Sequence, residues 1–275
     1  MIEIPQHGAA FFASDLHLSE HTPHTLDAFE NWLASVSQDD ALIFLLGDLF
    51  EVWYGDDYSD ATSNRVVQAI QSAKSAGAKV YFMHGNRDFL IGETFAEAAG
   101  LEILPDPEFL LVKHHVVLIT HGDQLCTDDK PYQKFRTQSR DEKWQANFLA
   151  LPLEKRIETA NSIRTESKAH KANSALSIMD ANTQTVAESF QGKWPDGYYI
   201  GKNDVILHGH THRCAIHPDL SSKAPTKPES TQGELLKGLR IVLPDWNFDN
   251  PEKNRPKGGF LKMLATGEYS LNLFS

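Results

Sequence analysis

Five short polar segments fall at the ends of apolar runs: Asp15-Leu16-His17, Gly47-Asp48, Gly85-Asn86-Arg87-Asp88, His121-Gly122-Asp123 and Gly209-His210-Thr211-His212. Asp15 and Asp48 bring two carboxylates, Asn86 an amide oxygen, and His17, His121, His210 and His212 four imidazoles. Hard oxygens mixed with imidazoles suit two divalent cations that share one carboxylate, and paired cations of this kind hydrolyse phosphate esters and anhydrides. Spacing supports the grouping. On an extended segment Asp15 and His17 would share one face, as would His210 and His212, because strand side chains repeat every second residue. The other nine histidines (His7, His21, His24, His84, His114, His115, His170, His208 and His217) read as surface or satisfied core residues.

The elements that must carry these segments alternate. Ala9–Ser14 reads as a strand, and Thr22-Pro23 supplies an N-cap and a first-turn proline for a helix with the stripe Leu26, Phe29, Leu33 and Val36. Ala41–Leu46 is a continuous apolar run, expected as a buried strand that leads into Gly47-Asp48. A helix over Asn64–Ala76 stopping at Gly77, a strand over Lys79–Met83 and a helix up to Gly100 follow. Val116–Thr120 and Val205–Leu207 each end at a histidine motif; Arg240–Leu243 and a hairpin of Phe260–Ala265 and Tyr269–Phe274 close the chain. Ligands at the carboxyl ends of several strands converge on one edge. The pattern predicts an α/β layered fold, with a core at 1–127 and 195–275 and a helical lid inserted at 128–194.

That insertion differs in charge. Lys130–Lys171 holds ten Lys or Arg against five Asp or Glu, net +5 within a chain of net charge −11. Such asymmetry points to an anionic partner. Two readings stay open: a helical bundle packed on itself with solvated charges, or a cap that offers a greasy slot beside a basic surface, with Trp144, Phe148, Leu149, Leu151, Leu153 and Ile157 as its apolar residues. Pro218–Gly238, rich in Pro, Ser, Thr and Lys, reads as a surface loop.

Composition narrows the class further. At 275 residues and 41% hydrophobic content the chain can fill a sizeable core. No apolar run reaches the roughly 18 residues of a membrane span, and Met1-Ile2-Glu3-Ile4-Pro5 lacks the basic start of a secretion signal, so a cytoplasmic protein is expected. Two cysteines, Cys126 and Cys214, are too few for a disulfide framework. The acidic balance argues against a nucleic-acid partner, and nothing points to an obligate protein partner.

The five segments resemble those of the calcineurin-like metallophosphoesterase superfamily, whose fold joins two sandwiched mixed sheets flanked by helices around a dinuclear centre. Longer strings narrow the likeness: Asp48-Leu49-Phe50-Glu51-Val52-Trp53-Tyr54-Gly55-Asp56-Asp57, Gly85 through Gly92, His121 through Asp129, and Ile178-Met179-Asp180 resemble the UDP-2,3-diacylglucosamine diphosphatases of lipid A synthesis. The resemblance implies hydrolysis of UDP-2,3-diacylglucosamine to UMP and 2,3-diacylglucosamine 1-phosphate, by water activated between two divalent ions, Mn²⁺ fitting the donor set. It implies one ion on Asp15, His17, Asp48 and His212, and the other on Asp48, Asn86, His121 and His210. It further implies Asn86 and Arg87 as catalytic residues, with Asn86, Arg87, Asp129, Arg164, Ser167, Lys171 and His210 meeting substrate. A lipid substrate implies peripheral docking on the inner leaflet of the inner membrane.

Arg87 discriminates within that superfamily. Many of its phosphatases carry a His after the Asn, fit to protonate an alkoxide, whereas Arg keeps its proton. A phosphoanhydride expels phosphate, which needs little protonation, so Arg87 suits charge stabilisation in pyrophosphate cleavage. The helix departs from the family pattern: where Asn and Lys are frequent, this chain has Lys171 and Ser174, and Lys171 stands one turn from Ser167. The alternatives are a phosphodiesterase or nucleotide pyrophosphatase of the same superfamily acting on a soluble substrate, and a non-catalytic scaffold, which the full ligand set disfavours.

Overall fold

Alternation along two neighbouring strands organises the molecule. In β3 (Ala41–Leu46) Ile43 and Leu45 point to one apolar cluster, while Leu42, Phe44 and Leu46 point to another. A strand apolar on both faces must be covered on both. The computed structural model describes residues 1–173, 180–195, 204–217, 232–234 and 238–275, the side chains of 166–173, 232 and 234 excepted.

In chain order, β1 (Ile2–Glu3) and β2 (Ala9–Ala13) precede α1 (Pro23–Val36) and β3; then come α2 (Ala61–Ser75), β4 (Lys79–Met83), α3 (Glu93–Ala99) and β5 (Glu102–Leu104). Next are β6 (Glu108–Val112) and β7 (His115–Thr120), the inserted helices α4 (Lys130–Ser139), α5 (Glu142–Leu149) and α6 (Leu153–Asn173), and α7 (Thr183–Ser189). The chain ends with β8 (Val205–His208), β9 (Ala215–His217), β10 (Gln232–Glu234), β11 (Arg240–Val242), β12 (Gly258–Leu264) and β13 (Glu268–Phe274). One mixed sheet runs β10-β13-β12-β2-β3-β4-β5 and the other β1-β6-β7-β8-β11-β9.

Helices α1, α2 and α3 cover the outer face of the first sheet through Leu26, Phe29, Val66, Ile70 and Phe95. Between the sheets Phe12, Phe44 and Tyr81 stack with ring centroids 4.8 and 4.9 Å apart, opposite Leu110, Val117 and Leu207. Burying each of these rings stabilises the fold by about 2 kcal/mol. On the far side of the second sheet Leu118 and Ile206 are capped by Val186, Phe190 and Trp194.

Local signals were met unevenly. Pro23 opens α1 as expected, but the Thr22 side chain makes no cap; Asp249, distant in sequence, accepts hydrogen bonds from the His24 and Thr25 amides at 3.0 and 2.9 Å instead. A capping box of Asp60 and Ser63 starts α2 at Ala61, three residues before the expected Asn64. Within the stretch expected as loop, β10 pairs antiparallel with β13; the other residues of 218–237 lie outside the described residues.

The inserted helices contact the core chiefly through side chains. Phe148 is buried in the cluster beneath α1–α3, with Trp144 packed beside it, whereas Leu149 and Leu151 stay exposed. The expected basic face is in part turned inward. Arg136 pairs with Asp123 at 3.2 Å, Arg140 donates to the Gly85 carbonyl at 2.9 Å, Arg156 to the Tyr54 carbonyl at 2.6 Å and Arg164 to Glu51 at 2.7 Å. Charge clustering in sequence does not distinguish a surface that awaits an anion from a set of tethers.

Candidate metal centre

The ligand-bearing loops follow strands that are parallel neighbours. Register places β2 beside β3 and β3 beside β4, and likewise β7 beside β8, so Asp15, Asp48, Asn86, His121 and His210 all emerge at carboxyl ends. The two sheets present these ends to each other. Backbone bonds tie them: Asp15 N–H to the Gly47 carbonyl at 3.1 Å, His17 N–H to Asp48 at 2.9 Å, and Gly209 N–H to His121 at 3.0 Å.

All seven expected ligands meet at one spot. Asp48 lies between two groups, with Oδ2 3.8 Å from His17 Nε2 and Oδ1 3.8 Å from His121 Nε2. On one side His17 Nε2 and His212 Nε2 stand 3.3 Å apart, and His212 Nε2 faces Asp15 Oδ1 at 3.4 Å. On the other, His121 Nε2 lies 3.2 Å from Asn86 Oδ1 and 3.1 Å from His210 Nδ1. Ring nitrogens facing one another satisfy neither when both carry lone pairs. Asp15 Oδ1, fully buried, accepts no hydrogen bond. An orphaned carboxylate oxygen beside converging imidazoles is the arrangement a cation resolves, so the residues fit the divalent ions that the donor set implies.

The route to this convergence differs from the expected one. Asp15, His17, Asp48, His210 and His212 do not lie on extended backbone; their φ angles are 56, 50, 53, 66 and 53°. Each of these five sits in a left-handed bend past its strand, a conformation that costs L-residues on the order of 1 kcal/mol. Close approach holds the bends. A Cβ at Gly85 would collide with the Asp48 carboxylate and amide, and one at Gly209 with Ser14 and Asp15.

Asp88 fastens two of the loops, a role that its place in the motif did not reveal. Fully buried, it accepts from the backbone amides of Leu49 at 2.7 Å, Gly85 at 2.9 Å, and Asp48 and Phe50 at 3.3 Å each. Burial, helped by the charge of Asp48, pushes its carboxyl up to about 6. The neighbouring Arg87 amide donates to Asp48 Oδ1 at 2.8 Å.

Three of the four imidazoles have a carbonyl or carboxylate oxygen near the nitrogen that faces away from the cluster. His121 Nδ1 lies 3.0 Å from the Leu46 carbonyl, a partner that holds a proton there and turns Nε2 toward Asn86 and His210. His212 Nδ1 lies 3.5 Å from Asp245, and His17 Nδ1 3.0 Å from Glu51 Oε2. The Tyr132 ring of α4 stacks over His210 at 5.7 Å. Burial pushes the Asp15 carboxyl up, but His212, His121 and His17 outweigh it and hold the group well below the usual carboxylate range. Burial pushes His121 down, yet Asp48, Asp15 and Asp123 raise it to about 9. The centre without cations is thus rich in mutually charged groups. Glu51 and Asp245 escaped the sequence reading; for Glu51 the available signal was its place one helical-turn's length past Asp48 in the same string.

The expected substrate residues scatter more. Arg164 is half-buried and paired with Glu51. Asp129 accepts the Tyr132 amide at 3.0 Å and caps α4, the turn-forming role that an Asp there commonly takes. The side chains of Ser167 and Lys171 lie outside the described residues.

A family model for calcineurin-like phosphoesterases matches residues 10–214. The chain is 40% identical over 233 residues to the UDP-2,3-diacylglucosamine hydrolase of Chromohalobacter salexigens, spanning 85% of this chain and 87% of that one. It is 37% identical over 269 residues to the protein of that name from Bordetella parapertussis, spanning 97% and 96%. The counterpart in Xanthomonas oryzae is 40% identical over 235 residues, spanning 86% and 90%. The ligand geometry and these matches agree: the chain belongs to the calcineurin-like phosphoesterase family.

Proposed function

We propose that this metal-dependent hydrolase cleaves the pyrophosphate of UDP-2,3-diacylglucosamine to UMP and 2,3-diacylglucosamine 1-phosphate, with two Mn²⁺ ions held by Asp15, His17, Asp48, His212 and by Asp48, Asn86, His121, His210. The convergence of those seven side chains carries the reading, and the hydrolase relatives support its substrate. Bound there, the cations supply Lewis acidity and a water activated at neutral pH. The chain's own residues do the rest. Asp48 would serve both sites, and the His121 ring, oriented by the Leu46 carbonyl at Nδ1, would present Nε2 to one of them. The Asn86 amide and the Arg87 guanidinium would flank the attacked phosphorus. The Arg87 guanidinium, near enough to Glu51 for its charge to help lower that carboxyl, would also offer a cation to a pyrophosphate oxygen. His210, Asp129, Arg164, Ser167 and Lys171 would complete the substrate contacts.

The test compares turnover of UDP-2,3-diacylglucosamine, UDP-glucose and a nitrophenyl phosphodiester under Mn²⁺. Strong preference for the acylated substrate is expected; equal turnover of UDP-glucose would favour the soluble-substrate alternative. No helix among the described residues is long and apolar enough to cross a membrane. Access to a lipid substrate would then come by docking on the inner leaflet through exposed Leu149 and Leu151. Sedimentation with anionic vesicles reads this out: L149D/L151D should abolish binding, and unchanged binding would remove these residues from the contact.

A further inference from the structure

Glu51 divides its carboxylate between two distant parts of the chain. Oε2 lies 3.0 Å from His17 Nδ1, and Oε1 accepts from the Arg164 guanidinium of α6 at 2.7 Å. Both members of the Arg164 pair are about one-quarter exposed, so water screens the contact only in part. The far side of the same imidazole, Nε2, faces His212 and Asp48. An imidazole presents a lone pair from one nitrogen only when the other carries the proton; the Glu51 carboxylate stands at ion-pair distance from Nδ1 without hydrogen-bond alignment, and its charge there favours the tautomer protonated on that side and the ring orientation that goes with it.

The Arg164 side decides where the carboxylate stands. Glu51 follows β3 on the loop that carries Asp48, and α6 crosses that loop at two points, Arg156 on the Tyr54 carbonyl and Arg164 on Glu51. Releasing the second point frees Glu51 to swing; removing Glu51 leaves His17 without its partner and Arg164 without its anchor. Resting on the two-cation reading above, we propose that Glu51 is a positioning residue: it fixes His17 for the cation site shared with Asp15, Asp48 and His212, and through Arg164 it links occupancy of that site to docking of α6. Linkage requires reciprocity: docked α6 tightens the cation, and the cation steadies α6.

The experiment uses the full chain and Mn²⁺ alone, with free Mn²⁺ counted by electron paramagnetic resonance and exchange of residues 153–165 followed by hydrogen–deuterium mass spectrometry. E51A should weaken one of the two Mn²⁺ sites by about 10- to 100-fold and leave the other unchanged. E51Q should recover part of that loss, because its amide oxygen still accepts from His17 although the charge facing Arg164 is gone. R164A should weaken the same site by roughly fivefold. Mn²⁺ should slow exchange in α6 of the wild type, and not in E51Q or R164A. Wild-type Mn²⁺ affinity in both Glu51 variants, or α6 exchange indifferent to Mn²⁺ in the wild type, overturns the proposal. H17A separates the two levels: if it keeps both ions at wild-type affinity, the two-cation assignment of His17 itself fails. Should E51A not fold, the near-isosteric E51Q carries the same readouts.

Discussion

The metal-bearing loops and the inserted helices are attached to the same sheets by opposite means. The loops are held by backbone: left-handed bends, ladder-like bonds between neighbouring carboxyl ends, and a buried aspartate that gathers four amides. The helices α4–α6 are held by side chains, one aromatic plug at Phe148 and a series of arginines reaching to carbonyls and carboxylates. Backbone attachment gives a fixed coordination frame. Side-chain attachment gives a cover whose grip depends on salt and on each long side chain keeping its place.

Four measurements break or sharpen that contrast. Asp48→Ala removes the group common to both sites; bound Mn²⁺ should fall from two ions and turnover drop by more than about 10³-fold, the scale for losing a member of a unit that acts together. Retained stoichiometry would refute the shared carboxylate. Asp88→Ala leaves buried amides without an acceptor and should destabilise the whole cation-free chain by on the order of 3 kcal/mol in urea unfolding. If only local exchange near Asn86 rises, the staple is weaker than its geometry implies.

Arg156→Ala should behave differently. Losing the charged donor to the Tyr54 carbonyl should favour local opening of α6 by about 2 kcal/mol in hydrogen exchange, while the midpoint of core unfolding stays nearly fixed. A matching loss in both would make the helices part of the core. Smallest is Asp249→Asn at the start of α1, at about 1 kcal/mol. Burial nudges the Asp249 carboxyl up, but the Thr25 hydroxyl and the His24 and Thr25 amides outweigh it and hold it below the usual value. A lowered carboxylate contributes stability above its unfolded pKa and loses it as pH falls through the folded one. The difference between wild type and Asp249→Asn should therefore shrink on acidification below about pH 4; a constant difference would mean that the charge is idle.

Which parts of this could be read beforehand follows the same division. The seven side chains that converge were legible because residue type and position past an apolar run are properties of the sequence. The bends that aim them were not: the Asp-x-His spacing suits an extended pair equally well, and only neighbouring backbone decides. Asp88 and Glu51 stood in plain view inside the motifs, but which of several acids faces a metal, an amide or an arginine depends on loops meeting from different strands. The short strands β1, β5 and β9 carry too few residues to show a period. The +5 charge of 130–171 was legible as a number, and its inward direction was not.

The left-handed φ angles at Asp15, His17, Asp48, His210 and His212 carry one more consequence. Aspartate, asparagine and histidine are the non-glycine residues that enter that region most readily, and their oxygens and ring nitrogens are also donors that divalent cations accept. Conformation and coordination thus impose the same short alphabet at these positions. Replacing Asp15 by Glu or His212 by Gln would keep a donor atom yet forfeit the bend, so conservative exchange by chemistry alone is not conservative here.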